Sequence, residues 1–261
     1  MKKEILINGL SGQDMWNYKN KNKNETIKTY QKKENVQIFD NERRKYLFQR
    51  YKHEAEANFL KSSIDSVKKK DVKVLDVACG TGRMLPEVFK AAKNISYVGA
   101  DTSVEMMREL QKKARLLNKI KEVETIIADA TNLPFRDNTF DVVYSFHLLW
   151  HIEKSEQEKV INEMKRVVRP GGVIIFDILN KNFIWEKVKN FMGIGKSEGL
   201  FKTSLKEIRT ITSGMRNIKL KRLSDAPIKN DSFYRIFNLI NKSERFMPSI
   251  FYHMIYVRAE K

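Results

Sequence analysis

The stretch VLDVACGTGR, residues 74–83, reads as a buried β-strand that runs into a glycine-rich turn and then a helix. Val74, Leu75 and Val77 supply the apolar strand, and Gly80 and Gly82 stand where the backbone turns sharply. Working outward, β-branched runs occur at 72–78, 95–101, 123–129, 140–146 and 172–179. Helical patterns lie between them at 84–93, 103–118 and 153–168. Strands alternating with helices predict an α/β, Rossmann-like parallel sheet covered on both faces. Gly171-Gly172 after Pro170 is expected to stop a helix and start the fifth strand. Two further strands are expected at 217–223 and 249–257, with a helical segment at 232–242 between them.

The flanks differ from this middle. Residues 1–40 are polar, with KNKNKNET at 19–26 close to low complexity, and read as a tail or lid. Residues 42–62 place Tyr46, Leu47, Tyr51, Ala55, Phe59 and Leu60 at roughly helical spacing, an amphipathic helix leading into the domain. The net charge of +18 is unevenly placed. Residues 1–70 hold 17 Lys+Arg against 9 Asp+Glu, residues 71–179 hold 16 against 16, and residues 180–261 hold 17 against 7. A neutral middle between basic flanks suggests contact with something anionic: RNA, a lipid surface or an acidic substrate. Lysine-rich codon drift is the blander cause of the same excess.

A 41% apolar content across 261 residues supports a real core and one large domain with appendages. No run approaches the ~18–20 apolar residues that cross a bilayer, and the N-terminus lacks a signal-peptide pattern. A cytoplasmic protein is expected. The single Cys79 can form neither an internal disulfide nor a metal cluster, and no metal constellation is visible.

The glycine turn narrows the ligand. A dinucleotide turn wants G-x-G-x-x-G, but here Gly80 and Gly82 are followed by Leu85. Asp76 just before the turn is a poor neighbour for a pyrophosphate, and no Gly-Lys-Ser/Thr phosphate loop is present. A phosphate-free ligand with a cationic amino-acid end suits the residues better. Asp76 attracts an ammonium group, and Gly80 and Gly82 allow close backbone approach. Asp101, 21 residues after Gly80, stands where an acid accepts ribose hydroxyls, and Asp129 where one takes a hydrogen bond from an exocyclic amine. S-adenosylmethionine meets all of these demands.

The series VLDVACGTGRM, VGADTSVEMM, IIADATNLPFRDNTFDVVYSFHLLWHI and MKRVVRPGGVIIFD resembles the class I S-adenosylmethionine-dependent methyltransferases. Within them it is most similar to the branch containing the ubiquinone and menaquinone biosynthesis enzymes. The resemblance is strong over about residues 72–180. It implies a seven-stranded, mostly parallel sheet of order 3-2-1-4-5-7-6 with the last strand antiparallel. The chain is thus read as a basic tail and lead-in helix at 1–62 and a methyltransferase domain at 63–261. That domain has its cofactor half at 72–180 and a C-terminal half, 181–261, whose helical insert at 225–248 departs from the compact hairpin common in the family.

By the same resemblance, Gly80 and Gly82 border the methionine part of the cofactor and Asp76 its amino end. Asp101 binds the ribose, Met106 packs on the adenine, and Asp129 with the backbone of Ala130 reads the adenine edge. Ser145 and Phe146 face the methyl group. His151 and His147 are the candidate bases, sharing a face if that segment is helical, or His151 only shapes the pocket. His53 and His253 read as packing residues. Trp16, Tyr18, Trp150 and Trp185 are candidates for an aromatic acceptor pocket. The leading expectation is methyl transfer to O, N or C of a small or lipid-like acceptor, with peripheral contact to an anionic membrane. A tRNA or rRNA methyltransferase gripping RNA through the basic flanks is the first alternative, and a non-catalytic S-adenosylmethionine-binding regulator the second. The oligomeric state is not legible.

Overall fold

The computed structural model describes residues 47–184, 200–224 and 248–261. The expected tail, the 225–247 part of the insert, and Trp16, Tyr18 and Trp185 lie outside the described residues. Eight strands are described: β1 Asp71–Val77, β2 Asn94–Asp101, β3 Val123–Ile127, β4 Phe140–Ser145, β5 Val168–Asn180, β6 Lys202–Thr203, β7 Arg216–Leu223 and β8 Met254–Glu260. Five helices accompany them: α1 Leu47–Asp65, α2 Leu85–Ala91, α3 Val104–Leu116, α4 Lys154–Val167 and α5 Leu205–Ile211.

The sheet runs β3-β2-β1-β4-β5-β8-β7, with β6 paired to β5 off this path. Without the two-residue β6, this is the order implied by the family resemblance. β1 to β5 pair parallel with one another, and β8 is antiparallel to both β5 and β7. β6 joins Leu179 and Asn180, opposite β8 and beyond the end of β4.

Strand alternation sends successive side chains to opposite faces, and the core divides accordingly. Val74, Tyr97, Val142 and Ile175 pack on one face with Leu60 and Ile64 of α1, Val88 of α2 and Leu110 of α3. Leu75, Val98, Val143 and Ile174 pack on the other with Val160, Ile161 and Met164 of α4 and Ile208 of α5. Each such fully buried aliphatic side chain contributes roughly 1.5–3 kcal/mol. α3 begins at Ser103, whose hydroxyl accepts the Met106 N–H, and it carries Lys113 and Arg115 in its last turn, where the helix dipole favours cations.

Three local expectations are corrected. Pro170-Gly171-Gly172 does not precede the fifth strand but lies within it. α4 ends at Val167, and the pairing with β4 shifts register between Phe140–Val168 and Val142–Val173, a bulge that absorbs the proline. Residues 249–257 are not one strand: Pro248 leads into a single 3₁₀ turn at Ser249–Phe251, and β8 begins at Met254. α5 was not expected from periodicity, being seven residues long, yet its signal was present. Ser204 and Glu207 form a reciprocal capping box, the S-x-x-E pattern of a helix start.

Candidate active site

The C-terminal ends of β1 to β4 surround a cavity of about 180 Å³. Asp76, Ala78, Cys79, Gly80, Asp101, Met106, Asp129, Ala130, Phe146, His147 and His151 all line it. Parallel strands that end at one sheet edge bring residues 53 positions apart, such as Asp76 and Asp129, into one concave site. Asp129 lies in the turn after β3, where Thr131 N–H and Oγ1 both donate to its Oδ1.

The turn after β1 is built around Asp101. Its Oδ2 accepts the Gly80 N–H at 2.9 Å and its Oδ1 the Ser103 N–H at 2.9 Å. Burial raises its pKa, and these backbone donors oppose the rise. Gly80 has φ +55°, and a Cβ there would meet only Met106 Sδ at 3.9 Å, so the strand end stays open to a ligand. Gly82 does not line the cavity. At φ +69°, its missing Cβ leaves room for Leu110, whose Cγ would lie 2.8 Å away. Gly82 thus provides the close helix packing that the absent third glycine serves in dinucleotide turns.

Asp76 is buried at the end of β1. Its Oδ2 accepts the hydroxyls of Tyr97 at 2.8 Å and Tyr144 at 2.6 Å. Burial outweighs those two bonds and pushes its pKa up to about 7. A cationic group brought alongside would favour the ionised form.

The end of β4 differs from expectation at Ser145. Alternation along β4 puts Tyr144 and Phe146 at the cavity, while Ser145 is fully buried and donates its hydroxyl to Val77 O at 2.8 Å. His147 and His151 do not share a helical face. His147 has φ +66°, held by its N–H on Asp177 Oδ1, and only Leu149–His151 form a 3₁₀ turn. Both still reach the cavity, with the Trp150 ring 5.0 Å from His147 and 5.8 Å from His151. Trp150 is itself buried behind them and does not line the cavity.

Sequence reading missed a buried charge cluster beside this site. Glu56 on α1 is fully buried. Its Oε2 is 2.6 Å from Arg83 Nη1, and its Oε1 is 2.7 Å from His147 Nε2 and 3.1 Å from the Tyr256 hydroxyl. Burial alone would raise the Glu56 pKa, but Arg83 foremost, then His147, hold it well below the usual carboxylate range. Asp177 of β5 lies close by, its Oδ2 3.7 Å from His147 Nε2, and burial followed by the Glu56 charge pushes its pKa to about 7. Ligand atoms of Glu56, His147 and Asp177 lie within 4.8 Å of one another. The positive charge there nonetheless comes from the Arg83 guanidinium and from Lys52, and the Glu56–His147 contact has hydrogen-bond length. The signal was a charge in the register of an apolar stripe, since Lys52, Glu56, Leu60 and Ile64 recur every fourth residue and all are buried.

The same cluster corrects the reading of His53. It is part-exposed rather than packed, with Nδ1 2.9 Å from Arg83 Nη1, and burial followed by Arg83 lowers its pKa. His253 stacks against Phe183 at 5.1 Å.

The cavity's chemistry bears on the cofactor. Arg83 is the one Arg or Lys lining it among the described residues, and Glu56 already engages that guanidinium. Three carboxylates, a single Arg already paired with Glu56 and an open glycine turn among the described residues fit a cationic, phosphate-free nucleoside.

Comparisons with known proteins agree. Residues 74–172 match the family described as "Methyltransferase domain". The chain is 34% identical over 111 residues to norajmaline N-methyltransferase of Rauvolfia serpentina, covering 42% of this chain and 37% of that one. It is 36% identical over 118 residues to the ubiquinone/menaquinone biosynthesis C-methyltransferase of Burkholderia mallei, covering 45% and 46%. The match therefore spans less than half the length of these relatives. Among solved structures, magnesium protoporphyrin IX methyltransferase of Synechocystis PCC 6803, with bound S-adenosylhomocysteine, shares the fold. It superposes with a TM-score of 0.65 at 16% identity, covering 92% of this chain and 100% of that one.

Proposed function

We infer the function from one premise: the chain carries the domain of the class I S-adenosylmethionine-dependent methyltransferases, and S-adenosylmethionine is its cofactor. The chain transfers a methyl group to a small or lipid-like acceptor brought to the end of β4. The observation that carries this reading is the placing of Asp76, Asp101 and Asp129 around one cavity beside an open glycine turn. The norajmaline and ubiquinone/menaquinone named for the two relatives agree with a small organic acceptor.

The cofactor, when bound, supplies an electrophilic methyl group on a sulfonium. The residues bind and orient. Asp76 takes the ammonium end, Asp101 the ribose hydroxyls, and Asp129 with Ala130 the adenine edge, against which Met106 packs. Phe146, His147 and His151 border the transfer position. Alignment of the acceptor supplies much of the rate, and a hydroxyl or acidic carbon would use His151 or His147 as base.

Calorimetric titration with S-adenosylmethionine, S-adenosylhomocysteine and NAD tests the premise. Binding of the first two and none of NAD is expected, and NAD binding alone would refute it. Asp101→Ala should weaken S-adenosylmethionine binding by about 1–3 kcal/mol, the loss of hydrogen bonds to a charged group. Unchanged affinity would remove Asp101 from the ribose. Transfer of labelled methyl into quinone, lipid or RNA fractions then identifies the acceptor class, and exclusive labelling of RNA would overturn a small acceptor.

A further inference from the structure

The sheet edge opposite the cavity carries an exposed apolar tip among mainly basic side chains, of which Lys112 and Lys119 pair with Glu109 and Glu122. Leu116 is 84% exposed at the end of α3, and Leu117 and Ile120 in the following turn are 37% and 40% exposed. Over residues 112–122 these three apolar side chains stand with five Lys or Arg and one acid, Glu122. Register brings more positive charge to this edge. Asp71 of β1 pairs with Asn94 of β2, which places the exposed Lys68 and Lys70 near the exposed Lys93, with the exposed Asp71 the acid between them. Lys119 over the Phe89 ring, at 5.1 Å, ties the apolar turn to α2 at the same end. Residues 71–179 are neutral as a whole, so the five Lys and Arg of 112–122 are a local excess of positive charge.

We propose that this edge is a docking surface for an anionic lipid bilayer, with Leu116 and Ile120 entering the interface and the surrounding lysines meeting headgroup charge. The inference is independent of methyl transfer. Leucine and isoleucine exposed amid basic side chains gain by leaving water for acyl chains, and the cations gain from the surface potential. A second copy of this chain would bring like charges together. Nucleic acid would leave the apolar tip unmatched, since Leu116, Leu117 and Ile120 offer a base no ring to stack on and Phe89 nearby is covered by Lys119. The surface lies at the opposite ends of the strands from the cavity, so docking leaves the cavity facing away from the bilayer.

Co-sedimentation of the full chain with two kinds of vesicle tests this. One is phosphatidylcholine alone, the other phosphatidylcholine mixed with phosphatidylglycerol. The chain should bind the anionic vesicles and not the neutral ones. Leu116→Asp with Ile120→Asp should weaken that binding at least about tenfold, with S-adenosylmethionine affinity unchanged as the check on folding. Equal binding by the double variant would overturn the proposal and assign any lipid affinity to the basic flanks. Absence of vesicle binding would overturn it too, as would a double variant whose only losses are of tRNA binding or self-association.

Discussion

Gly80 and Gly82 occupy one turn and one region of backbone space, yet a methyl group added at each should act differently. Both have positive φ, +55° and +69°, so an L-residue at either costs about 1–2 kcal/mol in backbone strain. At Gly80 the new Cβ meets only Met106 Sδ at 3.9 Å, an ordinary contact. At Gly82 it would lie 2.8 Å from Leu110 Cγ and 3.1 Å from Leu110 Cδ1, in a side chain that is fully buried in α3. Relieving that overlap costs a further ~1–3 kcal/mol. Gly82→Ala should therefore lower stability by about 2–5 kcal/mol and Gly80→Ala by about 1–2 kcal/mol, read by urea unfolding. Each kcal/mol corresponds to roughly 2–4 °C in Tm for a chain of this size. Cofactor affinity should follow the opposite order, because Gly80 borders the cavity and Gly82 does not. In a Leu110→Ala background the extra cost of Gly82→Ala should fall to its backbone share, a coupling readable as a double-mutant cycle. Equal destabilisation by the two single variants, or no coupling to Leu110, would refute this division of labour.

Other outcomes follow from the buried charges. Burial raises folded Asp76 to about 7, whereas an unfolded aspartate titrates near ~4. The folded chain therefore keeps a proton that the unfolded chain has lost between those values. Asp76's contribution to stability is full below about pH 4 and is lost as pH rises to about 7. The stability difference between wild type and Asp76→Asn should change over that window and be flat above it; a pH-independent difference would refute the raised value. S-adenosylmethionine affinity should rise about fivefold from pH 6 to pH 7 as Asp76 ionises, before the ligand's own ammonium loses its proton, and Asp76→Asn should flatten the rise on calorimetric titration. Glu56→Ala leaves the part-buried Arg83 guanidinium without its carboxylate and should cost up to about 3 kcal/mol in chemical unfolding; a loss below about 1 kcal/mol would show the pair to be unimportant. Ser145→Ala removes a buried bond to Val77 O and should cost about 1 kcal/mol with cofactor affinity unchanged.

Local patterns carried most of the architecture. The alternation of β-branched runs and helical stripes between residues 72 and 179 determined an α/β sheet, because period 2 and period 3.6 are written directly in side-chain polarity. That Asp76, Asp101 and Asp129 come to one end of the sheet was legible for a related reason: residues at or just past the ends of parallel strands stand where ligands bind in such sheets. Tertiary structure decided what depends on distance between segments. Nothing local to Gly82 reveals that Leu110 presses against it, and nothing local to Ser145 shows its hydroxyl meeting Val77 rather than the cavity. The Glu56–Arg83–His147 cluster is the clearest case. Its members come from a lead-in helix, a glycine turn and the end of a strand, and their charges act on one another only because packing excludes the water that would screen them. The exposed tip at Leu116 likewise needed the fold, since a helical stripe records which residues are apolar but not where the neighbouring elements stop covering them.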